Sequence, residues 1–284
     1  MKINLKRYFN TIFLVATSFS ASMVYAQQQP FPPQPLKWNP EQLGNQRAVV
    51  KVNNNTKLVQ ADIPWRNRWV TDNQKIIIVD SASNTSFDPT EYLWQNNISG
   101  GITFQPKSGK GIYYVYFLPY ELDGRTNYPT ATYLKRSTST SKTASKSKNP
   151  KASFLRLESV DDFNKNTAME TIASEKEVSE LLNRHKNEDF LVFPETRNNP
   201  VKMKDYLPLR WTEATFTDNI LRDKAELGAY HAFQIAVFPN KADLKNVKVE
   251  VTDLKNEAGN SLSKDLFDCL NLEGTAYTGK PLAF

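Results

Sequence analysis

Two histidines, His185 and His231, and one cysteine, Cys269, are all this sequence offers for imidazole or thiolate chemistry. A side-chain nucleophile needs a base within hydrogen-bond reach and a third group to orient that base. Neither histidine is accompanied by a G-x-S-x-G elbow. His231 lies in the strand-like run Tyr230-His231-Ala232-Phe233-Gln234, where a structural role is expected. His185 ends a helical stretch, where a cation favours the helix dipole. Zinc wants three or four closely spaced ligands, and Cys269 has no such neighbours. Asp72, Asp80 and Asp88 are scattered, without the spacing of a calcium loop. The adjacent carboxylates Asp161-Asp162 and Glu188-Asp189 sit in polar surroundings and read as solvated pairs, whereas glycosidic hydrolysis needs two carboxyls converging on one bond. No catalytic residue, metal ligand or cofactor is expected.

The aromatic residues point elsewhere. Trp65-Arg66-Asn67-Arg68-Trp69 interleaves tryptophan with arginine, and Tyr113, Tyr114, Tyr116 and Tyr120 cluster on one strand and the turn after it. Sugar rings present apolar C–H faces flanked by hydroxyls, so flat rings beside Arg and Asn suit carbohydrate. The competing reading is that the rings are core, since aromatics dominate cores and Arg stacks on them. Trp65, Arg66, Trp69 and Tyr120 sit at strand ends, where a ring can escape the core, and are the carbohydrate-contact residues expected here.

Short strand-like runs must position these residues: Arg47–Val52, Leu58–Trp65, Lys75–Asp80, Ile102–Gln105, Ile112–Leu118 and Ala131–Leu134, each bounded by Asn, Gly, Pro or Asp. In the second, Val59, Ala61, Ile63 and Trp65 alternate with Gln60 and Asp62, giving one buried and one wet face. Ile112–Leu118 is apolar on both faces and should be covered on both. From Ser137 to Ser147, eight of eleven residues are Ser or Thr, which leaves almost nothing to bury. Then the period changes. Ser174-Glu175-Lys176-Glu177 is a capping box, and Val178, Leu181 and Leu182 follow on one helical face. Strand texture resumes at Phe190–Phe193, Ala229–Phe238, Val247–Val251 and Phe267–Leu272.

The N-terminus reads as an export signal. Lys2, Lys6 and Arg7 precede a short apolar run at Ile12–Ala16, and Val24-Tyr25-Ala26 forms a small-residue cleavage site. The apolar run is too short to span a bilayer, so no membrane span is expected after cleavage. Losing these three cations takes 36 Lys and Arg to 33 against 30 acids. Six more cations (Lys135, Arg136, Lys142, Lys146, Lys148, Lys151) lie in one acid-free segment, leaving 27 against 30 elsewhere. A folded basic face for nucleic acid is therefore not expected. One cysteine forms no intrachain disulfide, so packed cores must hold the fold.

Several stretches, taken in order from Lys37 to Phe284, resemble the N-terminal region of secreted Bacteroidetes-type glycoside hydrolases related to glycoside hydrolase family 123. They are Gly44-Asn45-Gln46-Arg47-Ala48-Val49-Val50, Ile63-Pro64-Trp65-Arg66, Tyr113-Tyr114-Val115-Tyr116, Phe193-Pro194-Glu195, Asn199-Pro200-Val201-Lys202-Met203, Phe233-Gln234-Ile235-Ala236-Val237 and Cys269-Leu270-Asn271-Leu272-Glu273-Gly274. The resemblance implies β-sandwich modules preceding a (β/α)8 barrel, in which an adjacent Asp-Glu pair assists the substrate's own acetamido group. That barrel would begin beyond Phe284, so no catalytic residue is carried onto this sequence.

The expected organisation is mainly β, with two β-sandwich domains joined by a disordered Ser/Lys-rich linker and a short helical segment. The divisions are a signal peptide at 1–26, a Pro/Gln-rich spacer at 27–36, a sandwich at 37–135, the linker at 136–151, a helical connector at 152–187, and a second sandwich at 188–284 cut short at its C-terminal end. The expected function is a non-catalytic, glycan-associated region of a periplasmic or extracellular glycoside hydrolase. A structural or partner-binding exported protein is the alternative.

Overall fold

The computed structural model describes residues 37–125, 127–137, 148–203, 205–213, 219–226, 228–245 and 247–268. The expected signal and spacer, the Ser/Thr run from 138 to 147 and Cys269 lie outside them. The chain divides into two units, one of Pro30–Asn219 with Ala225–Asn240, the other holding Ile220–Lys224 and Lys241 onward. The protein is mainly β, with several sheets.

A single turn of helix, α1 (Pro40–Leu43), opens the larger unit and is capped by the Asn39 side chain, which accepts from Glu41 N. Ten strands follow: β1 (Gln46–Val52), β2 (Val59–Ile63), β3 (Ile77–Asp80), β4 (Ser86–Phe87), β5 (Glu91–Gln95), β6 (Gly100–Phe104), β7 (Gly111–Tyr116), β8 (Tyr120–Arg125), β9 (Tyr128–Tyr133) and β10 (Ser153–Ser159). One sheet runs β10-β1-β7-β3-β4 and a second β2-β6-β5, every pairing antiparallel.

Period-two alternation supplies the core between the two sheets. Ala48, Val50 and Val52 from β1, Ile78 from β3, and Tyr113 and Val115 from β7 join Ala61, Ile63, Ile102 and Phe104 from the second sheet in one buried cluster. Each of the Val, Ile and Phe side chains contributes about 1.5–3 kcal/mol on burial. β7 is the middle strand of its sheet, and its other face is covered too. There the Arg47 guanidinium lies 3.7 Å from the Tyr114 ring and 4.4 Å from Trp38, and pairs with Glu158 at 2.7 Å.

β10 departs from the sequence reading, which placed Ser153–Ser159 in the helical connector. It pairs along β1 from Gln46↔Ser159 to Lys51↔Ser153 and completes the first sheet. The segment is an edge strand with Leu155, Arg156 and Leu157 exposed, so its side chains carry no buried stripe to announce it.

Next comes α2 (Glu175–Arg184), whose capping box forms as expected: Ser174 accepts from Glu177 N while the Glu177 carboxylate accepts from Ser174 N. A second cluster of Met169, Ala173, Leu181, Leu191, Phe193, Leu207 and Trp211 packs α2 and α3 (Leu209–Thr212) on one face of an antiparallel ribbon, β11 (Phe190–Thr196) with β12 (Phe233–Pro239). The Phe193 and Trp211 rings stack at 4.5 Å.

In the smaller unit, β13 (Leu254–Lys255) pairs β14 (Ser261–Leu262), followed by a 3-10 turn at Lys264–Leu266. Val247–Val251, expected as a strand from its alternating valines, is not one: all three valines are exposed. Alternation alone gives no ladder, because a strand's backbone groups need a partner.

Candidate functional site

The turn after β2 decides which of its aromatic residues meets solvent. Trp65 goes inward. Its ring packs 5.4 Å from Phe117, its Nε1 donates to Asn96 O at 2.6 Å, and it is 0% exposed. A fully buried indole has no face for a sugar, so Trp65 acts as core.

Arg66 takes a left-handed conformation, φ 47°, which non-glycine residues seldom adopt. It is pinned there from two sides. Its N–H donates to Ile98 O at 2.9 Å, its carbonyl accepts from Ile172 N at 3.0 Å, and its guanidinium grips Ile172 O and the Glu177 carboxylate. Arg66 thus ties the sandwich to the cap of α2.

Beyond this bend the chain turns outward. Asn67 is buried; its Oδ1 accepts from Trp69 N at 2.9 Å and its Nδ2 donates to Gln46 Oε1 at 2.8 Å. Trp69 is left 53% exposed, with the Arg68 guanidinium over its ring at 4.5 Å.

From Gln46 the amide chain continues. Gln46 Nε2 donates to Asn164 O and Asn166 Oδ1, and Asn45 Nδ2 to Asn164 Oδ1 at 3.0 Å. Asn164 in turn donates its N–H and its Nδ2 to Asp161 Oδ1, each at 2.8 Å. These bonds fix the loop 161–166 beside the Trp69 turn and leave the Phe163 ring 95% exposed.

Between loop and turn lies a cavity of about 170 Å³, lined by this amide chain, by Trp69 and Phe163, and by Tyr120, Tyr133, Lys165 and Glu170. Tyr120 and Tyr133 are cross-strand partners in the β8–β9 hairpin. Burial pushes both phenols above their ordinary range, so both stay neutral donors. Tyr120 OH donates to Asn45 Oδ1 at 3.4 Å. Burial alone would raise the Glu170 carboxyl. Hydrogen bonds from Lys202 and Thr167 outweigh it and hold the group below its usual value.

Of the four residues expected at a carbohydrate surface, the structure brings Trp69 and Tyr120 to one cleft and gives Trp65 and Arg66 to the framework. Sequence reasoning missed Phe163, Tyr133 and the amides. The available signal was an aromatic residue inside the polar run Asp161-Asp162-Phe163-Asn164-Lys165-Asn166, which was read only for its acid pair.

Among the described residues no three His, Cys, Asp or Glu side chains gather to hold a metal. A broader depression of about 770 Å³ in the smaller unit, lined by Glu250, Val251, Thr252, Asp253, Lys255 and Lys264, has no aromatic ring.

The family comparison falls on the sandwich itself. Residues 36–160 match the family described as Glycoside hydrolase 123, N-terminal domain. The match ends at Val160, whose N–H donates to Asn45 O just after β10. The glycoside hydrolase 123 N-terminal match therefore spans α1 through β10 and contributes Trp69, Tyr120, Tyr133 and three of the cleft's amides. Phe163, Asn164 and Asn166 come from the segment just beyond it. Comparisons with curated proteins and with solved structures return no match.

Proposed function

We propose that this chain is the non-catalytic N-terminal region of an exported glycoside hydrolase, supporting a (β/α)8 catalytic barrel and contacting glycan through the cleft between Trp69 and Phe163. The observation that carries the glycan contact is the convergence of two solvent-exposed aromatic rings with amide and phenol groups on one small cavity. That pairing suits a sugar, whose apolar faces stack while its hydroxyls exchange hydrogen bonds. Support for export comes from the basic, apolar and small-residue order of residues 1–26, which directs the chain to the periplasm or beyond the cell. The family match supports the link to glycoside hydrolases.

Affinity electrophoresis of the purified chain through gels containing neutral and acidic polysaccharides tests the contact. Retardation by at least one polymer is expected, and migration unchanged in every gel would sink it. Aryl-glycoside hydrolysis by the same preparation should be nil, since catalysis is assigned outside this region.

A second reading, a structural or partner-binding exported protein without carbohydrate contact, is favoured by the outward face of the β11–β12 ribbon. Phe190, Ile235 and Val237 are 46%, 48% and 37% exposed there. The two readings part on substitutions in the cleft: loss of function on removing Trp69 supports the first, loss only on changing Ile235 and Val237 the second.

A further inference from the structure

We infer that the cleft takes an anionic sugar residue, one carrying a carboxylate or a sulfate, with Lys165 as its counter-charge and Asn166 as the adjoining donor. The inference rests on the glycan-contact reading and adds the class of sugar.

Two charged side chains line the cleft, Lys165 and Glu170. Glu170 is already answered. Its Oε1 lies 2.7 Å from Lys202 Nζ, and its Oε2 accepts from Thr167 N at 3.3 Å and Thr167 Oγ1 at 3.2 Å. The nearby Asp161 carboxylate turns its Oδ1 into its own loop, onto Asn164. Lys165 has no carboxylate within ion-pair distance among the described residues, whereas Lys75, Lys151 and Lys202 are paired.

Single unpaired lysines are ordinary on a protein surface. This one stands between Phe163 and Asn166 on a loop that the amide chain holds in place. Asn166 Oδ1 accepts from Gln46 Nε2 at 2.9 Å, which fixes the amide and leaves its Nδ2 as a donor with no acceptor among the described residues. The loop therefore offers a stacking ring, a cation and an amide donor in four consecutive residues. A neutral sugar would use the ring and the amide and leave the cation idle. A uronate or sulfated residue uses all three, and a charge-assisted hydrogen bond is about twice as strong as a neutral one.

The test measures binding of the full chain to polygalacturonate, dextran sulfate and unmodified dextran at about 0.15 M salt, where unspecific long-range attraction is largely screened. The variants are Lys165→Gln and, as a control for general basicity, Lys51→Gln, an exposed position on β1. An acidic polymer should bind more tightly than dextran, and Lys165→Gln should weaken it by about tenfold, with Lys51→Gln unchanged. Which acidic polymer responds identifies carboxylate or sulfate as the source. Binding of dextran but of neither acidic polymer would overturn the anionic assignment while sustaining the glycan contact. So would equal loss from the two variants. Binding of no polymer would overturn both.

Discussion

Asn67 donates its Nδ2 to Gln46 Oε1 at 2.8 Å, and this one bond joins the two sides of the cleft. The other end of Asn67 fixes the backbone of Trp69, while the other end of Gln46 fixes the loop that bears Phe163. Both aromatic rings are thus positioned by neutral amides behind them, Asn67 buried and Gln46 partly so.

Replacing Asn67 by Ala should accordingly act twice. It leaves the Gln46 carbonyl without its donor and Trp69 N without its acceptor, a loss of about 1–3 kcal/mol. Urea unfolding should show that loss, and glycan affinity should fall with it. Trp69→Ala should lower affinity while leaving the unfolding free energy from urea titration within about 0.5 kcal/mol of the parent, as for most exposed positions.

Trp65 behaves as its opposite. Trp65→Ala should cost about 3–5 kcal/mol, the range for a large core aromatic. The reason is visible at Gly100, where a Cβ would fall 1.9 Å from the Trp65 ring, and Gly100→Ala should destabilise by about 1–3 kcal/mol through overpacking. A thermal melt in which either variant matched the parent would contradict this packing.

The fates of Trp65 and Trp69 mark the limit of what the sequence discloses. Alternation through Val59, Ala61, Ile63 and Trp65 reads correctly as an inward face, and the Ser174 capping box reads as a helix start. Both signals are local. Within Trp65-Arg66-Asn67-Arg68-Trp69, however, the two indoles look alike until the backbone bends at Arg66, and that bend is held by Ile98, Ile172 and Glu177, which are remote in sequence. Phe163 escapes notice for the same reason. Its neighbours are polar, and Asn45 and Gln46, which hold its loop, lie more than a hundred residues away.

Glu177 serves both the helix cap and the Arg66 pair, so its removal should exceed the loss of the cap alone. Ser174→Ala should cost about 1 kcal/mol. Glu177→Ala should cost more, because it frees Ser174 N and leaves the partly buried Arg66 guanidinium without its carboxylate. Denaturant titration of the two variants side by side checks the order.

Acid should weaken the sandwich through Glu158. Burial pushes this carboxyl up, but hydrogen bonds and charge from Arg47 and Arg156 prevail and hold it below its ordinary value. A carboxyl depressed in the folded state contributes stability that is present above its unfolded pKa and lost as pH falls through the folded one. The melting temperature should therefore drop below about pH 4, and Glu158→Gln should flatten that drop while lowering stability at neutral pH.

Glycan contact turns on the exposed rings of the cleft. Affinity for a retained polysaccharide should be measured for the parent chain, for Trp69→Ala with Phe163→Ala, and for Ile235→Ser with Val237→Ser on the β11–β12 ribbon, each checked by circular dichroism for a folded state. Loss of at least tenfold in affinity in the cleft variant alone is expected, since stacking contributes about 0.5–1.5 kcal/mol per ring beyond the area it buries. Full retention by the folded cleft variant would contradict the assignment of glycan contact to this site.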